Sequence, residues 1–258
     1  MNKRILQVGL LTLACLGLAG CDGTESDEFS EDIQPLDGRI QNDDPERFRG
    51  RVMDNGELEN ALVWLDRNRD GEFDAEEPGA LSGVDGRFEL DVSGFQRDRT
   101  EEDLDPLDYP MMAIAIPGFT RNARNGVIDK AFFLAAPPGI EVVTPFTTMA
   151  QIWRRLGEDR SLGDAGTEIT RRLNGAQENI GVFSDFLISG ADRVPFYAQA
   201  FRQMIQAQVP ATLSEAISSV APVESVDALV GTAFSPSDLE VIGSILVDQS
   251  GVILSEVD

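Results

Sequence analysis

Residues 61–78 read ALVWLDRNRDGEFDAEEP, and this stretch decides how the chain is built around it. Ala61 to Leu65 are apolar and include the strand formers Val63 and Trp64, so they enter as a β-strand. From Asp66 to Glu77, oxygen-bearing side chains then fall at positions one, three, five, nine and twelve: Asp66, Asn68, Asp70, Asp74 and Glu77. The backbone carbonyl of Glu72 occupies position seven. This is the spacing at which a hard cation such as Ca²⁺ collects its six to eight oxygen ligands, with Asp74 binding directly or through a water. Gly71 stands at position six, where the chain turns sharply around the ion and a side chain would clash. Glu72 and Glu76 add to the carboxylates, and only Arg67 and Arg69 offset them, so without a cation the loop repels itself. Pro78 follows at once. It lacks a backbone donor and disfavours helix in the residue before it, so the stretch joins strands instead of opening a helix.

Outward from the loop, 47–144 reads as strands. Phe48 to Met53 and Ala61 to Leu65 are joined through Asp54-Asn55-Gly56, a strong turn signal, and Arg87 to Val92 alternates apolar and polar residues after Asp85-Gly86. Met111 to Ile116, Val127 to Leu134 and Ile140 to Val143 add three more runs, with Asn125-Gly126 as a further turn. Short strands without intervening helices predict an immunoglobulin- or prealbumin-like β-sandwich. Arg97 to Asp108 interrupts them as an acidic solvated loop, or alternatively as part of a second cation site.

At Thr144-Pro145 the pattern changes. A capping residue precedes a proline at the first helical position, and Phe146, Met149, Ile152, Trp153 and Leu156 recur at helical spacing. Helices are predicted over Leu162 to Leu173, Gln177 to Leu187, Phe196 to Val209, Ala211 to Val220, Val226 to Phe234 and Pro236 to Asp248. The predicted fold class is thus α+β in two domains: a sandwich over 47–144 and a small all-α domain over 145–258.

The start of the chain carries an address. Lys3 and Arg4 precede an apolar run from Ile5 to Leu18, too short for an ordinary membrane-spanning helix, and Leu18-Ala19-Gly20-Cys21 follows. The LAGC string resembles the bacterial lipobox. The resemblance implies a signal peptide over 1–20, a lipidated Cys21 bearing palmitate-type chains, and a protein tethered to the bacterial cell envelope. Residues 21–46 are acidic and poor in large apolar groups, the composition of a flexible linker.

Charge narrows the partners. The chain holds 21 basic and 45 acidic residues; without Lys3 and Arg4 the balance is 19 against 45, a net −26. Such a field repels nucleic acid and anionic surfaces. There is no histidine, which removes the usual general base and the commonest transition-metal ligand. Cys15 falls in the signal and Cys21 carries lipid, so neither is available for a disulfide.

Two segments carry a family resemblance. GRVMDNGELENALVWLDRNRDGEFDAEEP with SGVDGRFEL, Gly50 to Leu90, joins an EF-hand-like loop to strands and resembles the calcium-binding B-type repeats of serine-aspartate repeat adhesins and related prealbumin-like modules. The resemblance implies a β-sandwich stiffened by structural Ca²⁺, with Asp66, Asn68, Asp70, Asp74 and Glu77 as ligands. AAPPGIEVVTPFTTMA, Ala135 to Ala150, resembles the APxGxxVxTPLTTL junction of Gram-negative secreted and lipid-anchored proteins, where helices follow a sandwich. The expected function is non-catalytic adhesion or binding of an envelope protein or glycan. Two alternatives stand beside it: a carbohydrate-binding module, and an envelope hydrolase using carboxylates such as Asp103 and Asp108. Trp64 and Trp153 sit in apolar patterns that predict core positions, against the glycan alternative.

Overall fold

The computed structural model describes residues 44–94, 105–157, 160–176, 178–221, 223, 225–233, 241–242, 245–246, 248–252 and 254. Its strands are β1 (Arg47–Val52), β2 (Leu58–Glu59), β3 (Leu62–Leu65), β4 (Gly79–Leu81), β5 (Arg87–Asp91), β6 (Met111–Ala115), β7 (Arg121–Asn122), β8 (Gly126–Val127), β9 (Phe132–Ala136) and β10 (Val142–Val143). Helices α1 (Pro145–Arg155), α2 (Leu162–Arg172), α3 (Val194–Gln208) and α4 (Ala211–Ser218) follow, with 3₁₀ turns at Pro106–Asp108, Leu173–Gly175 and Val226–Leu229. The fold is mixed α+β. No helix among the described residues is long and apolar enough to cross a membrane.

The strands form three sheets, ordered β10-β1-β5, β2-β7-β8 and β4-β3-β6-β9. β1 pairs in parallel with β10, Arg51 opposite Val142, and the remaining ladders are antiparallel. Their burial differs in an informative way. β5 alternates exposed and buried residues, so it has one wet face. In β3, β6 and β9 every residue is buried, so that sheet is covered on both faces. α1 and α3 pack on β9, while β10 contacts both β6 and β9 and β5 contacts β4.

The last paired strand ends at Val143 and the run of longer helices starts after Thr144, as the sequence predicts, although Ser93 and Gly94 are already helical and a 3₁₀ turn lies at Pro106–Asp108 between strands. The described residues on both sides of that boundary fall in one compact unit. One apolar core runs from Phe48 and Trp64 through Phe132 and Phe146 to Phe201 and Leu246, and Phe146 meets Phe186 and Phe201 edge-on at 5.6 and 5.8 Å. The continuous apolar runs MMAIA and FFLAA need cover on two faces, and the helices supply part of it.

The Thr-rich junction has a local cause. Thr144 caps α1 by accepting from the amides of Phe146 and Thr147, and the Thr147 hydroxyl accepts from the Thr144 amide. β9 is an edge strand, and α1 satisfies its exposed backbone: Thr148 Oγ1 accepts from Ala135 N–H at 2.9 Å, while Thr147 Oγ1 donates to the Ala135 carbonyl at 2.7 Å. Helix and sheet are thereby joined at one residue.

A second weld uses the Asp54-Asn55-Gly56 turn, which is buried instead of lying on the surface. Arg202 Nε on α3 donates to Asp54 Oδ2 at 3.1 Å, Asn122 donates to Asp54 Oδ1, and Asn55 Nδ2 donates to Gln199 Oε1 at 2.9 Å. Burial pushes the Asp54 carboxyl up despite the opposing Arg202 charge.

Two predicted helices differ. Over Gln177 to Leu187 the described residues form irregular chain and turns; at its end Asp185 Oδ1 accepts from the Leu187 and Ile188 amides and so supplies the backbone there with a non-helical partner. Asp185 Oδ2 also accepts from Arg51 Nη1 at 2.7 Å, which fixes that turn to β1. Val226 to Phe234 forms only the 3₁₀ turn, since Gly231 takes φ +87° and leads the chain into an extended bridge at Ala233. Phe234 and 236–240 lie outside the described residues. The expected strand over Val127 to Leu134 is divided between β8 and β9.

Candidate metal centre

β3 delivers Asp66 into the loop with its amide already bonded to the Pro110 carbonyl at 3.0 Å. Alternation along the strand puts Asp66 on the same side as Trp64, inside the protein, where both are 0 % exposed. Neither oxygen of the Asp66 carboxylate has a hydrogen-bond partner. Burial pushes its pKa up to about 6; the Gly71 and Arg69 amides and the Arg155 charge pull the other way without closing a bond to it. A buried carboxylate left unpartnered is costly in free energy and calls for a cation or a donor.

The rest of the loop winds around this group. Arg69 and Gly71 take φ of +62° and +77°, the left-handed conformations that curl the chain back. Asn68 Oδ1 accepts from Asp70 N–H at 3.0 Å and Asp70 Oδ1 from Glu72 N–H at 2.8 Å, two successive Asx turns. Asn68 Nδ2 donates to Asp70 Oδ2 at 2.8 Å and to Asp74 Oδ2 at 2.9 Å, so an amide draws these two carboxylates together.

Glu77 closes the loop. It is 7 % exposed, and its oxygens accept from the Arg67 amide at 2.6 Å and the Asp74 amide at 3.2 Å. Burial drives its pKa up to about 7, and the neighbouring Asp66 and Asp74 charges add to the rise. Asp66 and Glu77 therefore bring two carboxyls from the ends of the loop into one low-dielectric place. An open depression beside them is lined by Arg67, Asn68, Asp74, Glu76, Glu77 and Tyr109.

The residues predicted as ligands, Asp66, Asn68, Asp70, Glu72, Asp74 and Glu77, thus share one loop. Among the described residues no three His, Cys, Asp or Glu side chains converge as a ready metal cluster. The donor set nonetheless suits a hard cation: it consists of oxygens, and Asp66 is a buried acceptor lacking any donor. With Ca²⁺ bound, Asp66, Asn68, Asp70, Asp74, Glu77 and the Glu72 carbonyl would hold it, and the ion would neutralise the buried charge.

Sequence reasoning missed what surrounds the loop. Arg155, in the last turn of α1, donates from Nη2 to the Arg69 carbonyl at 3.2 Å, and residues 231–233 pair with Glu72 and Phe73. Phe73 lies buried with its ring 6.0 Å from that of Trp64. Only a helical spacing that places Arg155 beyond Trp153 hints at the first contact, and nothing local marks the second.

Other candidate residues stand elsewhere. Asp108 is exposed in a 3₁₀ turn, its Oδ2 accepting from Asp105 N–H at 3.2 Å; Asp103, its proposed catalytic companion, lies outside the described residues. Cys21, the signal segment and all of the linker up to residue 43 also lie outside them. Trp153 is half-buried beneath the Arg160 guanidinium, 4.1 Å from the ring centroid. Comparison with protein-family models, with curated proteins and with solved structures finds no match, so the reading of this site rests on its own chemistry.

Proposed function

We propose that this chain is a calcium-braced protein of the bacterial cell envelope, tethered by a lipidated Cys21, with a binding or adhesive role and no catalytic one. The observation that carries the calcium reading is the fully buried Asp66 carboxylate, without a partner, at the first ligand position of an oxygen-rich loop. The ion is a brace on this reading: six protein groups fill most of the six to eight positions that Ca²⁺ offers, and its role is to hold the loop closed. On this reading the sheets β10-β1-β5 and β4-β3-β6-β9 are the two layers of a prealbumin-like sandwich, a view supported by the contacts of β10 with β6 and β9.

The partner is an envelope protein or glycan reached from the tether; the net −26 of the chain without its first basic pair disfavours nucleic acid. Buried Trp64 and half-covered Trp153 offer no flat aromatic platform, which weighs for a protein partner over a glycan. Modules working outside the cell hold Ca²⁺ with dissociation constants of about 10⁻⁴–10⁻³ M. Calcium at a hundredfold excess would then stabilise the fold by about 2.7 kcal/mol. Calorimetric titration checks this directly: heat of binding at submillimolar to millimolar Ca²⁺, lost in Asp66→Ala and Glu77→Ala, is expected. Absence of binding at 10-millimolar-scale Ca²⁺, roughly ten times the weak end of that range, sinks the proposal.

A further inference from the structure

The second half of the loop is held by a segment far along the chain. Phe73 N–H donates to the Thr232 carbonyl at 3.0 Å, and the Phe73 carbonyl accepts from Gly231 N–H at 2.9 Å. Glu72 bridges Ala233 in antiparallel fashion. The Phe73 N–H belongs to the same peptide unit as the Glu72 carbonyl, the backbone ligand at position seven. In a planar trans peptide these two groups point in opposite directions. Fixing the N–H on Thr232 therefore aims the carbonyl the other way, and a cation on that carbonyl polarises the unit and strengthens the N–H bond.

The segment is shaped for this contact. Ser225 caps the 3₁₀ turn by accepting from Asp227 N–H, Leu229 is fully buried, and Thr232 N–H returns to the Leu229 carbonyl at 3.0 Å. Gly231 turns the chain at φ +87°, a conformation that other residues adopt only with strain. Val226 reaches over Gly79, beside the buried Phe73 ring that a Cβ on Gly79 would meet at 2.5 Å. From the opposite direction Arg155 holds the Arg69 carbonyl. Both contacts come from the helical half of the sequence.

We infer that residues 225–233 are a strap that positions the Glu72 carbonyl for the cation, and that the cation in turn governs how firmly the strap is seated. The inference rests on the calcium reading of the loop. Coupling of this kind is reciprocal: whatever the ion adds to strap protection, the strap adds to ion affinity. The loop then transmits the presence of calcium from the strands to the helical region, and Gly231 and Thr232 act as positioning residues.

Hydrogen exchange on the full chain, with chelator and with millimolar Ca²⁺, tests the inference together with calorimetry. Calcium is expected to slow exchange in peptides covering 72–73 and 231–233 by about tenfold, with no slowing in Asp66→Ala. Gly231→Ala is expected to lower the unfolding midpoint in chelator, because alanine is strained at φ +87°, and, where it still folds, to bind Ca²⁺ about fivefold more weakly than the parent chain. Calcium binding with unchanged exchange at 231–233, or equal affinity in a folded Gly231→Ala, overturns the strap and leaves the calcium site standing. No binding in the unmodified chain overturns both. The exchange arm uses the unmodified chain, so a Gly231→Ala variant that fails to fold does not remove the test.

Discussion

Replacing Asp66 by Asn separates the charge of this residue from its shape. The group is fully buried, its oxygens have no partners, and its pKa rises from 3.8 to about 6. In the unfolded chain the carboxyl ionises near 3.8, while in the folded, calcium-free chain it holds its proton until about pH 6. The folded state thus binds more protons between those values, and stability falls as pH rises through them. Each pH unit corresponds to about 1.4 kcal/mol, so the ionised form costs about 3 kcal/mol above pH 7. Asp66→Asn removes that cost but buries an amide in its place, which makes ~3 kcal/mol a ceiling and ~1–3 kcal/mol the expected gain. For a chain of this size each kcal/mol moves the midpoint by roughly 2–4 °C. Differential scanning calorimetry in chelator at pH 8 is expected to show Asp66→Asn melting several degrees above the parent, with the difference gone near pH 4. Added Ca²⁺ is expected to raise the parent and leave the variant where it is. A variant less stable than the parent in chelator at pH 8, or one still raised by calcium, refutes the reasoning, because a carboxylate satisfied by the protein alone would behave that way.

Further perturbations address other parts of the structure. Arg202→Ala leaves the Asp54 carboxyl buried and without its cation, and denaturant titration is expected to show a loss of about 3–5 kcal/mol; a loss below about 1 kcal/mol contradicts the proposed weld. Thr148→Val removes the hydroxyl that bonds the amide of Ala135 on the edge of β9, with an expected cost of about 1–3 kcal/mol by the same measurement. Thr144→Ala deletes the α1 cap and costs about 1 kcal/mol, visible as reduced thermal stability. Cys21→Ser is expected to shift the protein from the membrane fraction to the soluble one, and continued membrane retention contradicts the lipid tether.

The sequence made the parts of this fold legible to unequal degrees, for physical reasons. β1, β3, β5 and β6 were readable because each is a short apolar or alternating run closed by turn residues. β2 and β7 were not, since their pairing, Leu58 with Asn122, depends on partners more than sixty positions apart. The turn at Asp54 was visible as a turn, but its burial was not; that depends on distant partners, Asn122 and, 148 positions away, Arg202, which satisfy the acidic turn inside the protein. The division into strands and helices at Thr144 was legible from the capping pattern, whereas the shared core was signalled only by runs such as FFLAA that bury both faces.

The loop itself shows the same contrast within twelve residues. The oxygen spacing was legible because it lies within one continuous segment, with Asp66 and Glu77 at its two ends, the pattern that would suit a hard cation. What the ion could do for the protein follows instead from what the loop touches. A loop between two strands with free outer walls would stiffen only those strands. Here Phe73 is paired with Gly231 and Thr232, and Arg69 is held by Arg155, so its backbone is also part of the helical half. Burial of the Asp66 charge is tolerable only if something compensates it, and a compensating cation would tighten every segment bonded to the loop at once.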